Sequence, residues 1–154
     1  MKSFDTGLLI VRLAAGIVMF PHGAQKLLGW FGGYGFAGTM QFFTGTMHIP
    51  ALFAFLAICA EFFGAILLLT GGLTRLAAFA VGVNMVVAVA TVHAANGFFM
   101  NWTGQQKGEG IEYFIYAIAV LAVLVVYGGG RYSLDALMAR KKEASPPSTM
   151  QAAA

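Results

Sequence analysis

The sequence predicts an all-α integral membrane protein built as a four-helix bundle, and three observations carry that expectation. Hydrophobic residues fill 59% of the 154 positions and charged residues only 10%, against about 45–50% and 25% in a soluble domain, so too few polar side chains exist to cover a water-exposed surface. Four apolar runs, at about 7–28, 50–70, 74–95 and 111–127, reach the roughly 17–25 residues that cross a hydrocarbon core. The 20 glycines and 14% aromatic residues suit such a bundle, because glycine lets helices approach closely and aromatic rings collect at headgroup level.

In the first span, Asp5 and Arg12 break the basic-then-apolar order of a signal peptide, and no small-x-small cleavage site follows. The span is therefore expected to be retained. Trp30, Phe31, Tyr34, Phe36, Phe42 and Phe43 then form an aromatic collar with Phe98, Phe99 and Trp102, which reads as a headgroup-level belt. Glycines 32, 33 and 35 end the helix, and the stretch 36–47 is expected to be a short interfacial or re-entrant helix. The second and third spans are joined only by Gly71-Gly72-Leu73, too short for anything except an antiparallel hairpin. Past the fourth span, Gly128-Gly129-Gly130 stops the helix and Ser133 can cap a short amphipathic one at about 134–142, with Asp135 in its first turn. Residues 1–143 thus form one transmembrane domain, and 144–154, with Ser145-Pro146-Pro147-Ser148, are expected to be a disordered tail.

Four crossings leave both termini on one side. Lys2, Arg75, Arg131, Arg140, Lys141 and Lys142 fall on that side and only Lys107 and the boundary residue Lys26 on the other, so the positive-inside rule places both termini in the cytoplasm. A net charge of +3 is too small for a nucleic-acid footprint. Cys59, alone in an apolar run, excludes an intramolecular disulfide and a Cys-x-x-Cys pair, and reads as a small core residue.

Ionisable residues inside the spans are the informative exceptions, since a charge near mid-bilayer costs about 2.5–3.5 kcal/mol on insertion scales unless it finds a partner. Depth arithmetic suggests an inner layer in which Glu61 accepts hydrogen bonds from Arg12 and Asn84, a pairing that could be structural alone. The outer layer is His22, Lys26, His93 and Glu112, with Lys26 balancing Glu112. Arg12, Met19, His22 and Lys26 share one face of the first helix, which should point into the bundle. Asn84 and His93 fall on opposite faces of the third, so His93 joins the outer layer only if that helix unwinds near Ala94-Ala95-Asn96-Gly97. A weak internal repeat pairs His22, Glu61, Gly71-Gly72 and Arg75 with His93, Glu112, Gly128-Gly129 and Arg131, but the unequal Glu-to-Gly spacing leaves duplication open.

These residues come in an order that resembles the DoxX family of small four-helix bacterial inner-membrane proteins. The resemblance spans about 6–137 and rests on Pro21-His22-Gly23-Ala24-Gln25-Lys26 with Gly29-Trp30-Phe31-Gly32-Gly33, on Glu61-Phe62-Phe63-Gly64, on Val92-His93-Ala94-Ala95-Asn96-Gly97-Phe98-Phe99, and on Gly129-Gly130-Arg131-Tyr132-Ser133-Leu134-Asp135. It implies membrane redox chemistry, because relatives include the membrane part of a thiosulfate:quinone oxidoreductase and proteins linked to catechol, thiol or oxidative stress.

A quinone-interacting or membrane-anchor subunit of an oxidoreductase is thus the first expectation. His22, Lys26, His93 and Glu112 are the candidate catalytic groups and, with Trp30, the candidate quinone site; Arg12, Glu61 and Asn84 are the structural layer. Quinone reduction needs donors to two carbonyl oxygens and a proton route, which such groups can supply. The sequence holds no cysteine cluster or nucleotide fingerprint, so electrons would come from a bound cofactor or a soluble partner, expected on the cytoplasmic side. A bis-histidine haem between His22 and His93 is the sharper but less favoured version, since helical histidines more often serve as hydrogen-bonded core or pore residues; His48 offers no convincing further ligand, and no metal site is expected. Two other classes stand beside it. One is a non-enzymatic assembly protein docking partners on 134–142, and the other is a small-solute or proton transporter, which would need a homo-oligomer to enclose a path.

Overall fold

The structure, a computed structural model, describes residues 2–144, all helix and connecting turns; the expected tail lies outside the described residues except for Ala144. Helix α1 is Lys2–Leu28, α2 is Gly35–Gln41, α3 is Ala51–Thr70, α4 is Thr74–Ala88, α5 is Glu112–Tyr127 and α6 is Leu134–Ala144. The first runs unbroken through Pro21. Lys2–Leu28, Ala51–Thr70 and Thr74–Asn96 are long and apolar enough to cross a membrane. The fourth expected span is a shorter helix of 16 residues, about 24 Å long at the α-helical rise.

The four long helices close a ring in the order α1, α3, α4, α5, and the α1–α5 seam is its lightest contact. Met19, Ala65, Leu68, Ala78, Val81, Met85, Phe114, Leu121 and Leu124 fill the centre, while Ile10, Ile17, Phe53, Phe63, Leu76 and Phe79 face outward and are exposed. An apolar belt of this kind is stable only against hydrocarbon. Two glycines set the spacing of α1 on α3. A Cβ at Gly16 would stand 2.7 Å from Leu69 Cγ, and one at Gly23 would stand 2.6 Å from Phe62 Cα and 2.7 Å from its amide nitrogen.

At the α3–α4 turn, Gly71 takes a left-handed conformation (φ 76°) and its amide, with that of Gly72, returns to the Leu67 carbonyl, satisfying one of the carbonyls at the helix end. The same end of the bundle receives α6. Ser133 Oγ accepts the Ala136 amide and donates to the Gly130 carbonyl, capping α6. Asp135 then reaches across to accept the amides of Leu73 and Thr74 at 2.6 and 2.9 Å, so one carboxylate caps the start of α4 from another helix. Asp135→Ala is therefore expected to lower stability by about 1–2 kcal/mol and to make α6 more sensitive to limited proteolysis. Asp135→Asn, which keeps one acceptor oxygen, should recover part of the loss.

Candidate functional site

The polar face of α1 points inward, as its periodicity requires, but the partners differ from those expected. Arg12, 2% exposed, donates to the carbonyls of Leu68 and Leu69 at 2.7 Å each and to Tyr132 at 3.0 Å. It does not meet Glu61. Lys26 Nζ instead pairs with Glu61 Oε2 at 2.5 Å, and Asn84 donates to the Ala57 carbonyl at 2.7 Å. The physical reason is helix register: the close approaches at Gly16 and Gly23 place Arg12 beside the carbonyl end of α3 and bring Glu61, two turns further out, level with the last turns of α1.

Glu112 is corrected likewise. Its carboxylate accepts the Met100 amide at 3.2 Å, because a residue in the first turn of α5 faces the preceding connection rather than α1. Trp30 stands 54% exposed on the outer surface, edge-on to Phe20 at 6.5 Å, and takes no part in the cavity wall.

His93 does turn inward. Beyond Ala88 the fourth helix continues as one wider turn, Val89–His93, and then one tight turn, Ala94–Asn96. The added residue in the wide turn rotates the face that Asn84 and His93 could not otherwise share. His93 Nδ1 lies 2.8 Å from the Glu109 carbonyl, which also accepts Asn96 Nδ2 at 3.1 Å. A carbonyl can only accept, so Nδ1 carries a proton, and the lone pair of a neutral ring here lies on Nε2. Phe114 packs against the ring at 4.2 Å between centroids.

Together these residues enclose a cavity of about 450 Å³ at the loop end of the bundle, the end opposite α6. His22, Lys26, Glu61, Asn84, Thr91, His93 and Tyr113 contribute its polar groups, with Glu109 at the rim, its carboxylate held by the Asn101 amide, while Met19, Met85, Ala88, Phe114 and the connecting residues Phe42, Phe43, Met47 and Ile49 contribute apolar wall. His22 lies close enough to interact electrostatically with both Lys26 and Glu61, and Tyr113 with Glu61. The volume falls in the range of small-molecule sites, and the lining follows their usual plan of apolar walls with a few convergent polar groups.

Sequence reasoning placed His22, Lys26 and His93 in one layer but missed Tyr113, which follows the over-weighted Glu112 by a single residue. It also assigned Phe42 and Phe43 to the belt. Those two rings do follow a short helix after the first span, but a wide turn at Phe42–Thr46 carries them to the cavity wall.

The DoxX family model matches residues 7–94, more than half of the chain, and so runs from the second turn of α1 through the wide turn Val89–His93. The chain belongs to the DoxX family. This DoxX chain is 27% identical over 143 residues to a Bacillus subtilis (strain 168) protein named "Putative oxidoreductase CatD", covering 92% of the chain and 94% of the relative. It is 28% identical over 144 residues to "Inner membrane protein YqjF" of Escherichia coli (strain K12), covering 91% and 98%. No solved structure matches the DoxX chain significantly. The family model takes in His22, Lys26, Glu61, Asn84 and His93, whereas Tyr113 and Glu112 fall beyond it.

Proposed function

We propose that this chain is an inner-membrane, quinone-binding subunit of an oxidoreductase system. The observation that carries the reading is the cavity, in which a charged Lys26–Glu61 pair, two histidines, an asparagine and a tyrosine converge on otherwise apolar walls. A quinone headgroup fits that chemistry. Its carbonyl oxygens need donors, and the Lys26 ammonium has two N–H groups beyond the one given to Glu61. A quinol hydroxyl needs an acceptor, and the His93 ring, whose Nδ1 donates to the Glu109 carbonyl, offers one at Nε2 in its neutral form. An ion pair neutralises its own field, so the site accepts an uncharged ligand without burying a net charge. The oxidoreductase in one relative's name and the inner membrane in the other's agree with this reading.

The position of the cavity also bears on the partner. Arg12, at the level of α6, and Lys26, at the cavity, are 14 residues apart on α1, about 21 Å at the helical rise. A soluble redox partner docked on α6, the side that the charge count assigns to the cytoplasm, would face the wrong end of the bundle. A partner exchanging electrons with the bound headgroup docks instead on the connections at the loop end.

Calorimetric titration of the protein in nanodiscs with a short-tailed benzoquinone or naphthoquinone tests the proposal. Saturable binding is expected, with Glu61→Gln and Lys26→Met each weakening it by about tenfold or more and Glu112→Gln changing it by less than about twofold. Absence of saturable binding to the unmodified protein would sink the reading. The weight would then move to the docking alternative, for which α6 offers the exposed side chains Leu134, Leu137 and Met138.

A further inference from the structure

The α1–α5 seam, the weakest side of the helix ring, is not closed. Ala14, Ala15 and Val18 on one side and Tyr116, Ala117 and Val120 on the other border a groove of about 170 Å³. The small side chains on facing helices leave this space, and Val18 and Tyr116, 44% and 70% exposed, flank it on the outside. The groove carries no charged residue in its lining, unlike the cavity. Met19 and Tyr113 line both spaces, so the two meet at these side chains.

We propose that this groove is a lateral portal: a lipid-soluble ligand enters the cavity from the bilayer through it, and the ligand's hydrocarbon tail stays in it, with Met19 and Tyr113 as the threshold. The inference rests on the quinone reading above and adds where the ligand's tail lies and by which side it arrives. Three observations select a tail as the occupant. The lining is apolar throughout, so a polar occupant would lose its hydrogen bonds to water without replacement. The groove and the cavity share Met19 and Tyr113 in their walls, so one molecule reaching past these two side chains can fill both.

Direction agrees as well. From Tyr113 the groove follows α5 to Leu121, about 12 Å toward the middle of the bundle. A ligand with its headgroup at the Lys26–Glu61 pair would therefore carry its tail toward the bilayer centre, where hydrocarbon is most stable. Entry from the side also spares the headgroup a passage through the loop-end connections. Tyr113 is then a specificity-determining residue, apolar ring toward the tail and hydroxyl available to the headgroup.

Two quinones of one headgroup, one bearing a decyl tail and one with a methyl in its place, separate the portal from the cavity when titrated against protein in nanodiscs. Ala117→Trp fills the groove from α5, and Val18→Trp covers it from the lipid side and serves if the first variant does not fold. The expected result is a loss of about tenfold or more in affinity for the tailed quinone, with the tail-less one changed by less than about twofold. Equal losses for both quinones, or no loss for either, would overturn the portal while leaving the cavity reading intact. Failure of both quinones to bind the unmodified protein overturns the cavity reading itself, and the portal with it.

Discussion

Arg12→Ala is expected to be the most destabilising single substitution in the chain, lowering the free energy of unfolding by about 3–5 kcal/mol. The side chain is 2% exposed, and its guanidinium is the donor for three carbonyls, two at the end of α3 and one in the segment before α6. Truncation leaves those carbonyls without this donor, the Leu68 one buried and the other two part-buried, and it also removes the cation near Asp135 that the latter interacts with. Arg12→Lys should recover only part, because a single ammonium cannot span acceptors that the planar fork reaches from two nitrogens. Thermal unfolding in detergent measures both. Quinone affinity, read on the folded fraction of the Arg12→Lys protein, should stay within about twofold of the parent, since Arg12 is absent from the cavity wall. A tenfold loss of affinity would instead place Arg12 in the functional layer.

The second large effect is expected at Gly23. Its α1 backbone lies against the α3 backbone at Glu61 and Phe62, and an added Cβ would stand 2.6–2.8 Å from main-chain atoms that cannot swing aside. Gly23→Ala should therefore cost about 2–3 kcal/mol as overpacking, even though alanine is the better helix former. It should also weaken quinone binding, because pushing α1 away from α3 separates Lys26 from Glu61, whose contact lies on the same pair of helices. Gly7 is the internal control. A Cβ there meets nothing within 4 Å, so Gly7→Ala should be neutral or stabilising by about 0.5–1 kcal/mol and leave binding unchanged. If Gly23→Ala behaves like Gly7→Ala in both measurements, the close approach of α1 and α3 does not hold the site together.

The legible part of the site was periodic. Arg12, Met19, His22 and Lys26 fall on one face of α1 by counting residues, and that face is the one turned inward. The charge at Glu61 was legible for a different reason: hydrocarbon penalises an unpaired carboxylate so heavily that a partner had to exist. Which cation would be that partner was not. Arg12 and Lys26 are both basic, both on the inward face and four turns apart, and depth counted from the ends of apolar runs says nothing of how one helix is shifted along another. Helix α1 begins at Lys2, well before the apolar run does. How far α1 is shifted along α3 is set by their packing at Gly16 and Gly23, which neither apolar run records.

His93 shows the same division. Its residue type and its place near the loop end mark it as a polar group to be accounted for, and the sequence even indicates where its helix must loosen. The wide turn at Val89–His93 and the Glu109 carbonyl that orients the ring depend on a connection folded back from 16 residues later. No local pattern encodes that contact. Tyr113 and Phe43 were hidden by their chemistry, since an aromatic ring is equally at home in a headgroup belt, a core and a binding wall.

By itself the sequence determined the membrane, the number of long helices, the hairpin at Gly71-Gly72 and the face of α1 that looks inward, because solvent, length and a 3.6-residue period act on one helix at a time. The tertiary structure alone decided that Lys26 rather than Arg12 meets Glu61, that Glu112 and Trp30 stand apart, and that the polar cavity meets an apolar groove at Met19 and Tyr113. Those are matters of register between helices, and register follows from how closely two backbones approach at Gly16 and Gly23, a property of the pair that neither helix carries alone.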